Sequence, residues 1–150
     1  KQGVVALVIK RGNEVVEKIV NPSLGVVKRT FDHCGDYTAH CVMQDGTLSQ
    51  ACKFSVCQLD FNLPTSEVSR AKPWVIEFST DNMNAIIVYF KNSDDGSDEH
   101  NVFITEEDRK SGQVTIPATV TQSADQMQVW LIGENRYGRL KKRQIIKIVE

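Results

Sequence analysis

The chain has 150 residues, of which 41% are hydrophobic and 25% are charged, a composition typical of a folded globular protein with one ordinary domain or two small ones. Its formal net charge of −1 lacks the basic excess that binding to nucleic-acid phosphates requires, so no nucleic-acid partner is expected. No apolar run approaches the roughly 18 residues that span a bilayer, so no membrane partner is expected either.

Short apolar runs separated by turn signals predict β-strands in the first part of the chain. The predicted strands cover residues 3–9, 14–20, 26–31, 37–43 and 48–59. Arg11-Gly12-Asn13 predicts the turn of a first hairpin, and Asp45-Gly46 is typical of a second, tight hairpin turn. These strands predict a small, and incomplete, β-sandwich domain over residues 1–62.

The second part of the chain repeats this pattern after a segment without periodicity. Residues 63–72 are predicted as a linker, and residues 73–150 as a second β-sandwich. The acidic run from Asn92 to Glu99 predicts a solvated loop. The predicted strands of this domain cover residues 74–78, 85–90, 102–105, 114–117, 127–132 and 140–149. The sequence therefore predicts an all-β fold of two tandem sandwiches.

The first domain is small for an independent sandwich, because about 60 residues bury little apolar surface. Two alternatives follow from this. Either the two domains share a core, or a partner chain completes an edge strand. The second alternative predicts a homo-oligomer or a larger assembly of protein chains.

Two local patterns resemble immunoglobulin-like and fibronectin type III domains. The alternating run Met127-Gln128-Val129-Trp130-Leu131-Ile132 leads into Gly133-Glu134-Asn135-Arg136-Tyr137-Gly138, which resembles the hairpin between strands F and G of those folds. Gly35-Asp36-Tyr37-Thr38-Ala39-His40-Cys41 is similar to the corner before strand F, where a tyrosine hydroxyl bonds back to the chain. Ala39 stands where true immunoglobulin domains have a core cysteine. The resemblance implies two tandem immunoglobulin-like β-sandwich domains, without the inter-sheet disulfide.

A looser pattern covers part of the second domain. Val114-Thr115-Ile116-Pro117-Ala118-Thr119-Val120, followed by a short loop and by residues 127–133, resembles accessory domains of phage tail, baseplate and head-fibre proteins. The resemblance implies a structural component of a phage virion.

No motif in the sequence predicts catalysis, and no cofactor or metal is expected. His33-Cys34 and His40-Cys41 are spaced too widely for a typical structural zinc site. Cys41 alternates with apolar positions, which favours packing over a nucleophilic role. Neither a Gly-rich phosphate loop nor a serine nucleophile elbow occurs. The chain is therefore expected not to be an enzyme.

The spacing of the cysteines predicts one disulfide. If Asp45-Gly46 forms a two-residue hairpin turn, Cys34 lies directly opposite Cys57, near the separation that a disulfide requires. An oxidising compartment would then allow the bridge. The same register places Cys41 and Cys52 on the inner face of the hairpin, as buried thiols.

The last predicted strand carries a row of basic side chains, and alternate residues of a strand share one face. The candidate partner-contact residues are Arg136, Arg139, Lys141, Arg143 and Lys147. One interpretation is an edge strand that charge protects against aggregation. The other is an electrostatic contact with an acidic partner surface, such as the acidic loop of a neighbouring subunit.

Two functions are compatible with these patterns. The first is a non-catalytic structural or assembly module of a phage virion (fibre, baseplate or decoration), which acts through protein–protein contacts. The alternative is a secreted or surface-attached bacterial binding domain, an adhesin or a carbohydrate-binding module. Trp130 points away from Val129, so its exposure would favour carbohydrate binding, because sugar rings stack on aromatic side chains.

Overall fold

The structure is a computed structural model that describes residues 3–22, 26–63 and 65–150. The chain divides into two compact units, residues 1–57 (unit 1) and residues 58–150 (unit 2). Both units are built mainly from antiparallel strands with few helical residues, so the predicted all-β class is confirmed.

Unit 1 contains one four-stranded antiparallel sheet within its described residues, in the order β2-β1-β3-β4. Its strands are β1 (Val4–Arg11), β2 (Glu14–Val20), β3 (Gly35–Met43) and β4 (Cys52–Val56). Gly12, in the left-handed region at φ 60°, makes the turn between β1 and β2. In its described residues, unit 1 is therefore a single four-stranded sheet.

The segment over 26–31 is not a strand, contrary to prediction. It crosses one face of the sheet as irregular chain and places the Phe31 ring 4.8 Å from the Tyr37 ring and 5.7 Å from the Phe54 ring. Tyr37 and Phe54 are themselves stacked at 5.6 Å. The apolar run predicted as a strand therefore contributes one aromatic side chain, Phe31, to this cluster. Burial of aromatic rings stabilises a unit that has a single sheet in its described residues.

The hairpin at Asp45-Gly46 has a three-residue turn, not the predicted two-residue turn. The Met43 amide donates to the Thr47 carbonyl at 2.8 Å, and Gly46 takes φ 85°. Val42 consequently pairs with Leu48, one residue away from the predicted partner. Between these two pairs and the body of the hairpin, an irregularity shifts the pairing by one residue. The predicted register is therefore restored where Ala39 pairs with Cys52. The predicted pairs are therefore confirmed in β3 and β4 but wrong at the turn.

Unit 2 is a sandwich of a three-stranded sheet (β10-β7-β5) and a five-stranded sheet (β6-β12-β11-β8-β9). Its strands are β5 (Gln58–Asn62), β6 (Glu67–Ser69), β7 (Trp74–Asp81), β8 (Asn84–Asn92), β9 (His100–Phe103), β10 (Gln113–Ile116), β11 (Gln126–Asn135) and β12 (Gly138–Val149). Six of these strands lie where the second-domain pattern predicts them. β5 and β6 lie in residues assigned to the first domain and to the linker.

The core of unit 2 lies between the facing sides of its two sheets. Ile76 and Ile116 of the three-stranded sheet are fully buried, as are Val129 and Leu131 of the five-stranded sheet. Trp74 packs edge-on against Phe90 with ring centroids 6.0 Å apart. The alternation that predicts the inward face of β11 is confirmed by this burial.

The unit boundary lies before Gln58, and residues 63–72 are not a free linker. β5 pairs antiparallel with β7, and its residues Leu59 and Phe61 supply buried side chains to the unit 2 core. β6 pairs parallel with β12. The Arg70 guanidinium donates to the carbonyls of Gln122 and Ala124 at 2.8 and 3.1 Å. The apolar run 48–59 therefore contains the end of one unit and the beginning of the next.

Two short helical segments connect strands of unit 2. Helix α1 (Glu106–Ser111) begins at Thr105, whose side chain accepts from the Asp108 amide while the Asp108 carboxylate accepts from the Thr105 amide. A 3-10 turn covers Ala118–Thr121. Within the described residues, no helix has the length and apolarity that crossing a bilayer demands.

Candidate functional site

The outward side of the five-stranded sheet carries a group of apolar and basic side chains that we call the aromatic–basic face. Because Met127, Val129 and Leu131 point inward along β11, Trp130 and Ile132 point outward. Trp130 is partly exposed, as its position opposite Val129 predicts. The aromatic–basic face consists of Ile87, Tyr89, Phe103, Trp130, Ile132, Lys141, Arg143 and Ile145.

Strand register places these side chains in rows that cross the sheet. In one row, Tyr89 pairs with Trp130 and Trp130 pairs with Arg143. The Arg143 guanidinium carbon lies 5.4 Å from the centroid of the Trp130 ring, within cation–π range. The neighbouring row joins Ile87 of β8 to Ile132 of β11. Apolar and positively charged side chains therefore lie beside one another on this side of the sheet.

Two residues of this face are unusually exposed for their type. Phe103 is 71% exposed and Ile145 is 50% exposed. Phe103 and Ile145 are not neighbours, because two strands separate theirs, but the partly exposed side chains of Ile87, Ile132 and Trp130 lie between them. A single exposed apolar residue is common on a protein surface, whereas a group of them forms a patch that water solvates poorly. Such a patch is typical of a binding surface.

Some of the predicted basic side chains form ion pairs within the chain, and others do not. Arg139 is paired with Glu134 at 2.8 Å, and Lys147 with Glu67 at 3.1 Å. Within the described residues, Lys141 has no ion-pair partner. Arg139, Lys141, Arg143 and Lys147 do share one face of β12, as predicted.

Arg136 lies apart from this row, in the turn between β11 and β12. Its guanidinium carbon lies 4.9 Å from the centroid of the Tyr137 ring. The basic charge available on the sheet is therefore that of Lys141 and Arg143, beside the apolar patch.

The acidic loop between β8 and β9 is a turn stabilised by its own side chains. The Asp95 carboxylate accepts from the Ser97 amide and hydroxyl at 2.8 and 2.6 Å, and these bonds lower the pKa of Asp95. Glu99, at the end of the loop, lies 3.9 Å from Lys91. A hydrogen bond to Glu99 raises the pKa of the Tyr89 phenol above its ordinary 10.0. The loop thus contacts the edge of the aromatic–basic face.

The outward side of the three-stranded sheet holds a polar groove of about 340 Å³. Eight residues line it, Phe78, Gly112 and six with polar side chains: Asp60, Asn62, Glu77, Ser79, Ser111 and Gln113. A hydrogen bond from Lys142, and to a smaller extent one from Gln58, lowers the pKa of Asp60 below its ordinary 3.8. Sequence reasoning missed this groove, although the alternation within 58–62 and 74–81 places its polar residues outward.

The cysteines of unit 1 occupy the hairpin of β3 and β4. The strand pairing extends to Gly35 and Val56, so Cys34 and Cys57 follow immediately after the last pair. Cys41 is half-buried and Cys52 is exposed. The prediction that both are buried thiols is wrong, since Cys52 is exposed and Cys41 only half-buried. In the described part of unit 1, no second sheet covers this end of the hairpin.

The described residues contain no cluster of potential metal ligands. No three His, Cys, Asp or Glu side chains there are grouped as the ligands of a metal ion would be. His33, from one of the two His-Cys pairs of the sequence, accepts a hydrogen bond of 2.6 Å from the Tyr37 hydroxyl through its main-chain carbonyl. This bond is the one that the tyrosine corner predicts.

No protein-family model and no curated protein sequence matches the chain. Solved structures of similar arrangement include fibronectin(III)-like modules of Clostridium thermocellum CbhA, at 15% identity, a TM-score of 0.36 and coverage of 99% of this chain and 78% of that one. They also include the four N-terminal Ig domains of Dscam1 isoform 8.4, at 11% identity, a TM-score of 0.30 and coverage of 97% and 38%.

Proposed function

We propose that the chain is a non-catalytic assembly module that binds other protein chains through the aromatic–basic face of unit 2. The row formed by Tyr89, Trp130 and Arg143 is the observation that carries this proposal. Tyr, Trp and Arg are the residue types most enriched where protein interfaces bind tightly, because they combine large apolar area with directed polar groups.

The exposure of the apolar side chains supports the same function. Covering Phe103 and Ile145 with a partner removes apolar area from water, which contributes roughly 25 cal/mol for each Å². Lys141 and Arg143 at the margin of the patch then favour partners with carboxylates at matching positions.

Self-association provides the test of this function. Sedimentation velocity over a concentration series should give larger species for the wild type, and Phe103→Ser with Ile145→Ser should shift the distribution toward monomer. Both residues are largely exposed, so the fold should be retained. Val20→Ser, at a 64% exposed valine of unit 1, is the matched control. Unchanged association in the double variant would contradict the proposal.

A place in a phage virion is the finer form of this proposal, and its support is the resemblance of residues 114–120 and 127–133 to tail, baseplate and head-fibre domains. Purified phage particles from the source culture should contain the chain in a fixed stoichiometry. Absence of the chain from particles that retain their tails would contradict a virion location. It would not contradict the assembly function, which the self-association experiment tests.

Carbohydrate binding is the second candidate, because Trp130 and Tyr89 are adjacent on an exposed sheet. The position of Arg143 over the Trp130 ring argues against it, since a stacked sugar needs that ring surface. Binding on a glycan array that Trp130→Ala abolishes would favour this candidate over the assembly function.

A further inference from the structure

We propose that the aromatic–basic face of one copy binds the outward side of the three-stranded sheet of a second copy, so that the chains assemble head to tail. This inference rests on the proposed function and names the partner of the same face. Its basis is the opposite charge of the two outward sides of unit 2.

The outward side of the five-stranded sheet is basic. Its strand residues include five basic side chains and two carboxylates within the described chain. These are Lys91, Arg139, Lys141, Arg143 and Lys147 against Glu67 and Glu134. A symmetric contact between two such faces would bring like charges together, which disfavours pairing of a face with itself.

The outward side of the three-stranded sheet is acidic. Its charged strand residues, all within the described chain, are Asp60, Glu77 and Asp81. Glu77 lies in the polar groove between Asn62 and Gln113, its partners in the sheet. Glu77 and Asp81 are exposed and have no ion-pair partner in the described residues. The surface therefore offers two available carboxylates to a facing Lys141 and Arg143.

The arrangement of the two sides determines the type of assembly. They belong to opposite sheets of one sandwich, so a copy that uses its basic side still presents its acidic side. A contact of this heterologous kind repeats until it closes into a ring or continues as a filament. Because the contact is ionic in part, association should weaken as the salt concentration rises above about 0.1 M.

Two charge-reversed variants test the inference. Lys141→Glu with Arg143→Glu removes the basic side, and Glu77→Lys with Asp81→Lys removes the acidic side. Each variant alone should be monomeric, with self-association weakened by roughly tenfold or more for each reversed pair. Mixed in equal amounts, the two variants should assemble again in alternation, because their intact sides are complementary and their two reversed sides also carry opposite charges. Lys18→Glu with Lys28→Glu, exposed residues of unit 1, is the control for the change in net charge.

The outcomes separate this inference from the proposed function. If Phe103→Ser with Ile145→Ser abolishes association but Glu77→Lys with Asp81→Lys does not, the face binds another surface and the head-to-tail inference is overturned. A mixture of the two charge-reversed variants that stays monomeric also overturns it. If the Phe103 and Ile145 variant associates like the wild type, the proposed function itself fails.

Discussion

The hydroxyl of Tyr37 donates a hydrogen bond of 2.6 Å to the main-chain carbonyl of His33, and the tyrosine is 3% exposed. The bond connects β3 to the irregular segment that precedes it. The packing of Phe31 on Tyr37 and the 2.6 Å ion pair of Arg29 with Glu17 of β2 also hold that segment against the sheet.

Tyr37→Phe should destabilise unit 1 by about 1 kcal/mol, because the ring packing is kept while the His33 carbonyl loses its donor. Urea unfolding followed by a unit 1 signal would measure the change. Tyr137→Phe, in an exposed turn, is the matched control and should be close to neutral. Equal stability of the Tyr37 variant and wild type would mean that the corner bond contributes nothing.

Val129→Ala combined with Leu131→Ala should unfold unit 2. Both side chains are fully buried, and truncation of each costs roughly 2–5 kcal/mol, a large share of the stability of a small unit. Gln128→Ala, on the outward side of the same strand, is the control. Calorimetry should show loss of one transition with the unit 1 transition retained. An unchanged melting profile would mean that this face of β11 is not the core.

Asp60→Asn should destabilise the protein at neutral pH and have progressively less effect in acid. Hydrogen bonds from Lys142 and Gln58 lower the folded-state pKa of Asp60 below 3.8. A lowered carboxyl pKa contributes stability that is fully present above the unfolded value and is lost as pH falls through the folded one. Denaturant melts of both proteins between pH 7 and pH 2 would test this. If the difference in unfolding free energy between the two proteins grew as the pH fell, the pKa of Asp60 would be raised in the folded state and not lowered.

Under oxidising conditions, Cys34 and Cys57 should form the disulfide, because they directly follow the last pair of the β3–β4 ladder. Non-reducing peptide mapping would identify it. Alkylation under reducing conditions should modify Cys52 faster than Cys41, since Cys52 is exposed and Cys41 is half-buried. A Cys41–Cys52 bridge would be inconsistent with the register.

Alternation of apolar residues predicted most of the strands, because a strand with one buried face must place every second side chain inward. Burial of Val129 beside partial exposure of Trp130 follows directly from it. The tyrosine corner was predictable from a local pattern, since Tyr37 and His33 are four residues apart.

Features that depend on distant residues were not predictable in this way. The membership of Gln58–Asn62 in unit 2 is decided by pairing with Trp74–Asp81, and no local signal separates it from the preceding run. The patch around Phe103 depends on which strands are neighbours, because the sequence reveals the period of a strand but not its partner. The helix at Glu106–Ser111 was missed because six residues are too few to display a helical period.

The parallel pairing of β6 with β12 has a kinetic consequence. Lys147 contacts Glu67 across 80 residues of sequence, and Ile146 and Ile148 complete the core from that same strand. Closing so long a loop costs entropy before the core contacts compensate for it, whereas the strand pairs of unit 1 join nearer neighbours. Refolding should therefore proceed in two phases: unit 1 forms its sheet in the faster phase, and unit 2 folds in the slower phase, when β12 pairs with β6.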